Sequence, residues 1–134
     1  MKLEPLNIPI KISFNVEVFP SEEVEKVKHA VSNLLPEIEI ISNSKGLSGE
    51  SKDIKCLAFI YEQIRARRIS AIIWRLYLKN LKDDVGLLYF NKQAAYVKSL
   101  NICENPSESP LGPIILQIHC TDSDLFLKWL APGV

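Results

Sequence analysis

Residues 8–20, IPIKISFNVEVFP, alternate without a break, and this alternation limits the folds open to the chain more than any other feature. Ile10, Ile12, Phe14, Val16 and Val18 fall on one side of an extended backbone, and Lys11, Ser13, Asn15 and Glu17 on the other. Such a strand needs neighbours to complete its backbone hydrogen bonds and a layer of other elements to cover its apolar side. Pro20 ends it and a helix follows. Ser21 is the expected cap, Glu22 and Glu23 suit the positive helix end, and Val24, Val27, Val31 and Leu34 make the apolar stripe. Pro36 closes the helix, and EIEI at 37–40 reads as a short second strand.

The polar, Gly/Ser-rich stretch SNSKGLSGESKD, 42–53, reads as a flexible connection. Its Gly-x-x-Gly spacing (Gly46, Gly49) is too short a match to argue for a phosphate or nucleic-acid loop. Helical periodicity then runs from Ile54 to Leu81. Ile54, Leu57, Ala58, Tyr61 and Ile64 form an amphipathic first part, and a bend is expected near Ile69-Ser70. The second part, AIIWRLYLKNL, is apolar nearly all round apart from Arg75 and Lys79, as in a helix buried on several sides or placed in a subunit interface. Asp83-Asp84 marks a turn. Three strands are expected after it, at 85–90, 95–102 and 112–120, the first two forming a hairpin across Lys92-Gln93. Thr121 and Asp124 open a final helix in which Leu125, Trp129 and Leu130 pack inward. The order β-α-β-α-α-β-β-β-α implies a single α+β domain over residues 1–134. It should be two-layered, a mostly antiparallel sheet with its helices on one face.

With 47% hydrophobic and 24% charged residues, a core of ordinary size forms without a metal or disulfide staple. No apolar run is long enough for a membrane span, and the N-terminus carries Pro5 and Pro9 in place of a secretory h-region, so a cytoplasmic protein is expected. Cys56, Cys103 and Cys120 lack metal-site spacing and read as buried thiols. His119 and Cys120 are adjacent on a strand and so point to opposite faces, which argues against a shared ion. Glu37 and Glu39 have no acid or metal partner in the sequence and read as surface carboxylates. No catalytic, metal or cofactor motif is found, and an enzyme is not expected.

Charge is the more informative pattern. The net is zero, yet residues 52–82 hold eight basic side chains against Asp53 and Glu62, while each flanking segment is acidic. Arg65, Arg68, Arg75, Lys79 and Lys82 are 3, 7, 4 and 3 apart and would share one face of an unbroken helix. Such a stripe could neutralise several phosphates, or it could be a solvated face whose long stems cover apolar neighbours.

The strings VEVFPSEEVEKVKHAVSNLLP, LSGESKDI, LYFNKQAAYVKSLNICE, ESPLGPI and WLAP, in this order across residues 10–132, resemble a small archaeal family of uncharacterised proteins. The resemblance implies a fold like that of the large-subunit ribosomal protein that binds 5S ribosomal RNA. It also implies RNA binding, with possible exosome- or ribosome-related partners. The chain departs from the family after Arg68, where ISAIIW replaces a more polar helix start and favours an interface.

The functional expectation is a non-catalytic RNA-binding domain. Its phosphate contacts would come from Arg65, Arg67, Arg68, Arg75, Lys79 and Lys82, with Asn91, Lys92 and Gln93 contributing from the hairpin. The alternative is a protein-interaction module, a homodimer built on the 71–81 helix.

Overall fold

The computed structural model describes residues 3–133. Its elements are β1 (Lys11–Glu17), α1 (Val24–Leu34), β2 (Ile41–Ser42), β3 (Gly46–Ser51), α2 (Ala58–Arg67), α3 (Ser70–Lys79), β4 (Val85–Phe90), α4 (Lys92–Tyr96), β5 (Ile102–Cys103), β6 (Ile114–His119) and α5 (Ser123–Leu130). The strands form one sheet in the order β2-β3-β1-β6-β4-β5, and every adjacent pair is antiparallel. The class is α+β, as the grouping of elements implies.

Alternation in β1 does what the sequence requires of it. Ile12 and Phe14 face Ile118 and Leu116 of β6, and Leu116 continues across to Leu88 of β4. These side chains and Val16 are buried, whereas the intervening Lys11, Ser13, Asn15, Gln117, His119, Leu87 and Tyr89 keep part or all of their exposure. The helices therefore cover one face of the sheet and leave the other open. Val27, Val31 and Leu34 of α1, Ile60 and Ile64 of α2, Ile73 and Tyr77 of α3, and Phe126 and Leu130 of α5 close the core. Each such side chain contributes about 1.5–3 kcal/mol by leaving water.

Four local expectations are corrected. Residues 46–51 form β3 in place of a loop. Leu47 anchors the strand in the core opposite Val16, and the backbone of β1 supplies the ladder that its Gly and Ser residues do not favour by propensity. Gly49 is needed there, because a Cβ would lie 2.1 Å from the Glu39 carbonyl oxygen and 2.7 Å from the Phe14 ring. The short strand expected at 37–40 falls at Ile41–Ser42 instead.

The strand expected at 95–102 is the third correction. Asn91 caps α4 through Oδ1, which accepts from the Ala94 N–H at 2.8 Å. Lys98 in the left-handed region (φ 56°) ends the turn, with Ser99 N–H reaching Ala94 O and Lys98 N–H reaching Ala95 O. Both ends are closed by local hydrogen bonds, so the alternation of Ala95 and Val97 never becomes a strand. β4 pairs only with the two residues of β5 on that side.

Fourth, two helix starts differ. The N-cap of α1 is Glu23, with no side-chain hydrogen bond, and Val24 is exposed. Asp122 caps α5 through Leu125 N–H, and Leu125 faces solvent while Phe126 and Leu127 turn inward with Trp129 and Leu130.

The bend between α2 and α3 falls where the sequence places it. Arg68 adopts φ 53°, its N–H donates to Arg65 O, and the Ile69 N–H donates to Ile64 O. This closes α2 by the usual left-handed helix stop, with arginine at the position glycine most often fills. On the far side of α3, Tyr77 lies wholly buried with its ring flat on Gly86 of β4. A Cβ at Gly86 would sit 2.1 Å from the ring carbon that carries the hydroxyl. Gly86→Ala should therefore lower stability by about 3 kcal/mol, the upper part of the overpacking range, as measured by urea unfolding.

Candidate nucleic-acid interface

The basic residues of 52–82 do not make one stripe, because the bend at Arg68 turns α3 away from α2 and divides them. Arg65 points to the end of α5. Its Nη1 donates to Tyr61 O and Leu130 O, both at 3.1 Å, and its Nη2 to Trp129 O at 2.8 Å. Its guanidinium carbon stands 3.4 Å from the Tyr61 ring centre. A helix leaves its last carbonyls unpaired and carries partial negative charge there, and Arg65 answers both. Trp74 helps from α3, its indole N–H donating to Ala131 O at 2.7 Å.

The remaining cations lie on the outside. Arg67 donates from the end of α2 to Leu100 O, ahead of β5. Arg75 and Lys79, one turn apart on α3, both reach Glu104 just beyond β5, at 2.6 Å and 4.0 Å. The hydrogen bond and charge of Arg75 hold the Glu104 carboxyl below its ordinary pKa, and Glu104 in turn raises that of Arg75. Arg68 and Lys82 are exposed, and neither side chain has a hydrogen bond or ion pair among the described residues. Arg68 borders a cavity of about 420 Å³ with Arg65, Ser70 and Pro132.

The triplet at 91–93 is not a hairpin turn and is not spread on the surface. Asn91 is spent on capping α4. Gln93 donates to Pro110 O at 3.2 Å. Lys92 is 3% exposed. Its ammonium donates to Glu22 Oε1 and Oε2 at 2.9 and 3.1 Å, to Glu17 O at 2.9 Å and to Leu111 O at 2.8 Å. One side chain thus ties the end of β1, the approach to α1 and the loop before β6 to α4. Glu22 also accepts from the Phe19 N–H, and buried Ser109 accepts from the Lys92 N–H while donating to Gly112 O. Sequence reading gave Glu22 only a helix-dipole role and passed over Ser109. The signal for Glu22 is a lone lysine between two apolar runs, which calls for a buried acid from elsewhere in the chain.

The cysteines are unsuited to nucleophilic work. All three are buried, and desolvation pushes the Cys56 thiol up to about 11. Among the described residues no group of three or more His, Cys, Asp and Glu side chains could hold a metal ion. Among the described residues no helix is long and apolar enough to cross a membrane.

The described residues thus form an open antiparallel sheet backed by helices, with basic side chains exposed around the α2–α3 elbow. A family model described as RNA binding matches residues 11–120. UPF0201 proteins match nearly end to end. That of Thermococcus onnurineus is 34% identical over 91% of both chains, and that of Methanothermobacter thermautotrophicus 35% identical over 92% of both. The chain belongs to the UPF0201 family. A solved structure of an uncharacterized UPF0201 protein superposes with a TM-score of 0.77 at 27% identity, covering 95% of each chain. The UPF0201 protein of Methanococcus jannaschii, at 24% identity and a TM-score of 0.74, shares the fold.

Removing one member of the buried pair tests the role of the triplet. Lys92→Met should cost about 3–5 kcal/mol in urea unfolding, since the Glu22 carboxylate is left buried without its partner. Lys92→Met combined with Glu22→Gln should recover part of that loss, because the stranded charge is gone.

Proposed function

We propose that this chain is a non-catalytic RNA-binding domain that holds backbone phosphates with Arg67, Arg68, Arg75, Lys79 and Lys82 around the α2–α3 elbow. The family match supplies the class of ligand. Arg65, Asn91, Lys92 and Gln93 contribute indirectly, by fixing α5, α4 and the loop before β6. Phosphate contacts of this kind give sequence-independent affinity through counterion release.

The observation that carries the reading is Arg68. It occupies φ 53°, where a non-glycine residue costs about 1 kcal/mol or more and glycine costs little. Folding alone favours glycine there, and the side chain makes no bond within the described protein. An exposed guanidinium without a partner among the described residues is free to donate to a phosphate from outside the chain.

Arg68→Gly separates the two demands. Its stability should hold or rise by up to about 1 kcal/mol, while affinity for a structured RNA falls and the salt dependence of binding becomes shallower by roughly one ion. Filter binding at low and physiological salt measures both. Equal affinity for Arg68→Gly and wild type, or for an Arg68→Glu/Arg75→Glu variant, would sink the reading.

A second reading, self-association through α3, has an observation of its own. Ile72 and Leu78 are 40% and 50% exposed on either side of Arg75. Sedimentation of wild type and Leu78→Glu decides it: a monomer in both cases rules the dimer out.

A further inference from the structure

Arg75 and Lys79 present their charges from successive turns of α3 toward a single point, and the carboxylate of Glu104 stands at that point. We propose that this point is a phosphate seat and that Glu104 is its resident anion, which an RNA phosphate must displace. The proposal rests on the RNA-binding reading above and adds a residue that sets the affinity.

Two observations and the chemistry of phosphate support displacement over a fixed structural bridge. The pair is wet: the Arg75 and Glu104 side chains are 55% and 43% exposed. An ion pair so exposed contributes little to folding, so breaking it costs the protein little. Lys79 is held loosely at 4.0 Å, a distance that leaves its ammonium donors available to a second anion. A phosphate has more acceptor oxygens than a carboxylate and can accept from both cations at once.

Glu104 is also delivered to the seat by its backbone. It follows Cys103, which is paired with Tyr89 of β4, and its N–H donates to Glu108 Oε2 at 2.7 Å. Its main chain is thus anchored while its side chain stays half-exposed at the seat.

The test compares two variants that each remove one negative charge. Glu104→Gln empties the seat. Glu25→Gln does the same to an exposed pair with Lys28 on α1 (3.6 Å) and serves as the equal-charge control. Binding to a short fluorescein-labelled RNA hairpin is followed by anisotropy at about 50 mM salt and upward. Glu104→Gln should bind about 3- to 10-fold tighter than wild type at low salt, with the gain fading as salt screens it. Glu25→Gln should stay within about twofold of wild type. The gain should vanish in Arg75→Gln/Glu104→Gln. Equal tightening in both single variants, no tightening in Glu104→Gln, or a gain that survives loss of Arg75 overturns the seat while leaving RNA binding intact. Absence of any RNA binding by wild type at low salt overturns the RNA reading itself, and the seat with it.

Discussion

The pairing of β1 with β6 is the contact on which the rest of the structure depends. One strand opens the sheet-forming part of the chain and the other closes it, yet they lie side by side at the centre. Their register sets Ile12 against Ile118 and Phe14 against Leu116 in the core, while on the open face Ser13 Oγ donates to Gln117 Oε1 at 2.9 Å. A shift of one residue would send every apolar side chain of the strand to the solvent face. Closing a loop of this length costs entropy that only the finished core returns, so the two halves of the sheet stand or fall together.

Charge in this protein is divided by position, not by residue type. Lys92 is sealed within the fold, where its four acceptors replace the water it has lost. Arg65 spends its fork on carbonyls at the end of α5. Arg68, Arg75, Lys79 and Lys82 remain in contact with solvent. The same five-donor group therefore fastens a helix at one position and stays open at another three residues later. Rigid fastening beneath and exposed charge above suit a binding surface, since the scaffold need not rearrange to present it.

Much of the fold was legible in the residues. β1 and β6 follow from alternation, β4 from the apolar run after the Asp83-Asp84 turn, and the α2–α3 break from the change of periodicity near Ile69. β3 was not, because Gly46, Ser48 and Gly49 carry no strand signal and the partner strand supplies the hydrogen bonds. The helix at 92–96 was missed because alternation at Ala95 and Val97 imitates a strand, while its cap and its stop are local hydrogen bonds. For the candidate interface, the sequence located the basic segment and the solvated reading of part of it. It could not tell Arg65 from Arg68, since a spacing of three residues says the same of both.

By itself, then, the sequence determined the α+β class, the core-facing residues of the central strands, and the concentration of positive charge in the middle third. Those properties depend on period and composition, which are written along the chain. Only the tertiary structure decided that Lys92 belongs to Glu22, that Arg65 belongs to α5, and that Glu104 meets Arg75 and Lys79. Each of these joins residues far apart in the chain. A charged side chain takes its role from whatever acceptor the fold brings within reach of it, and no local pattern contains that distance.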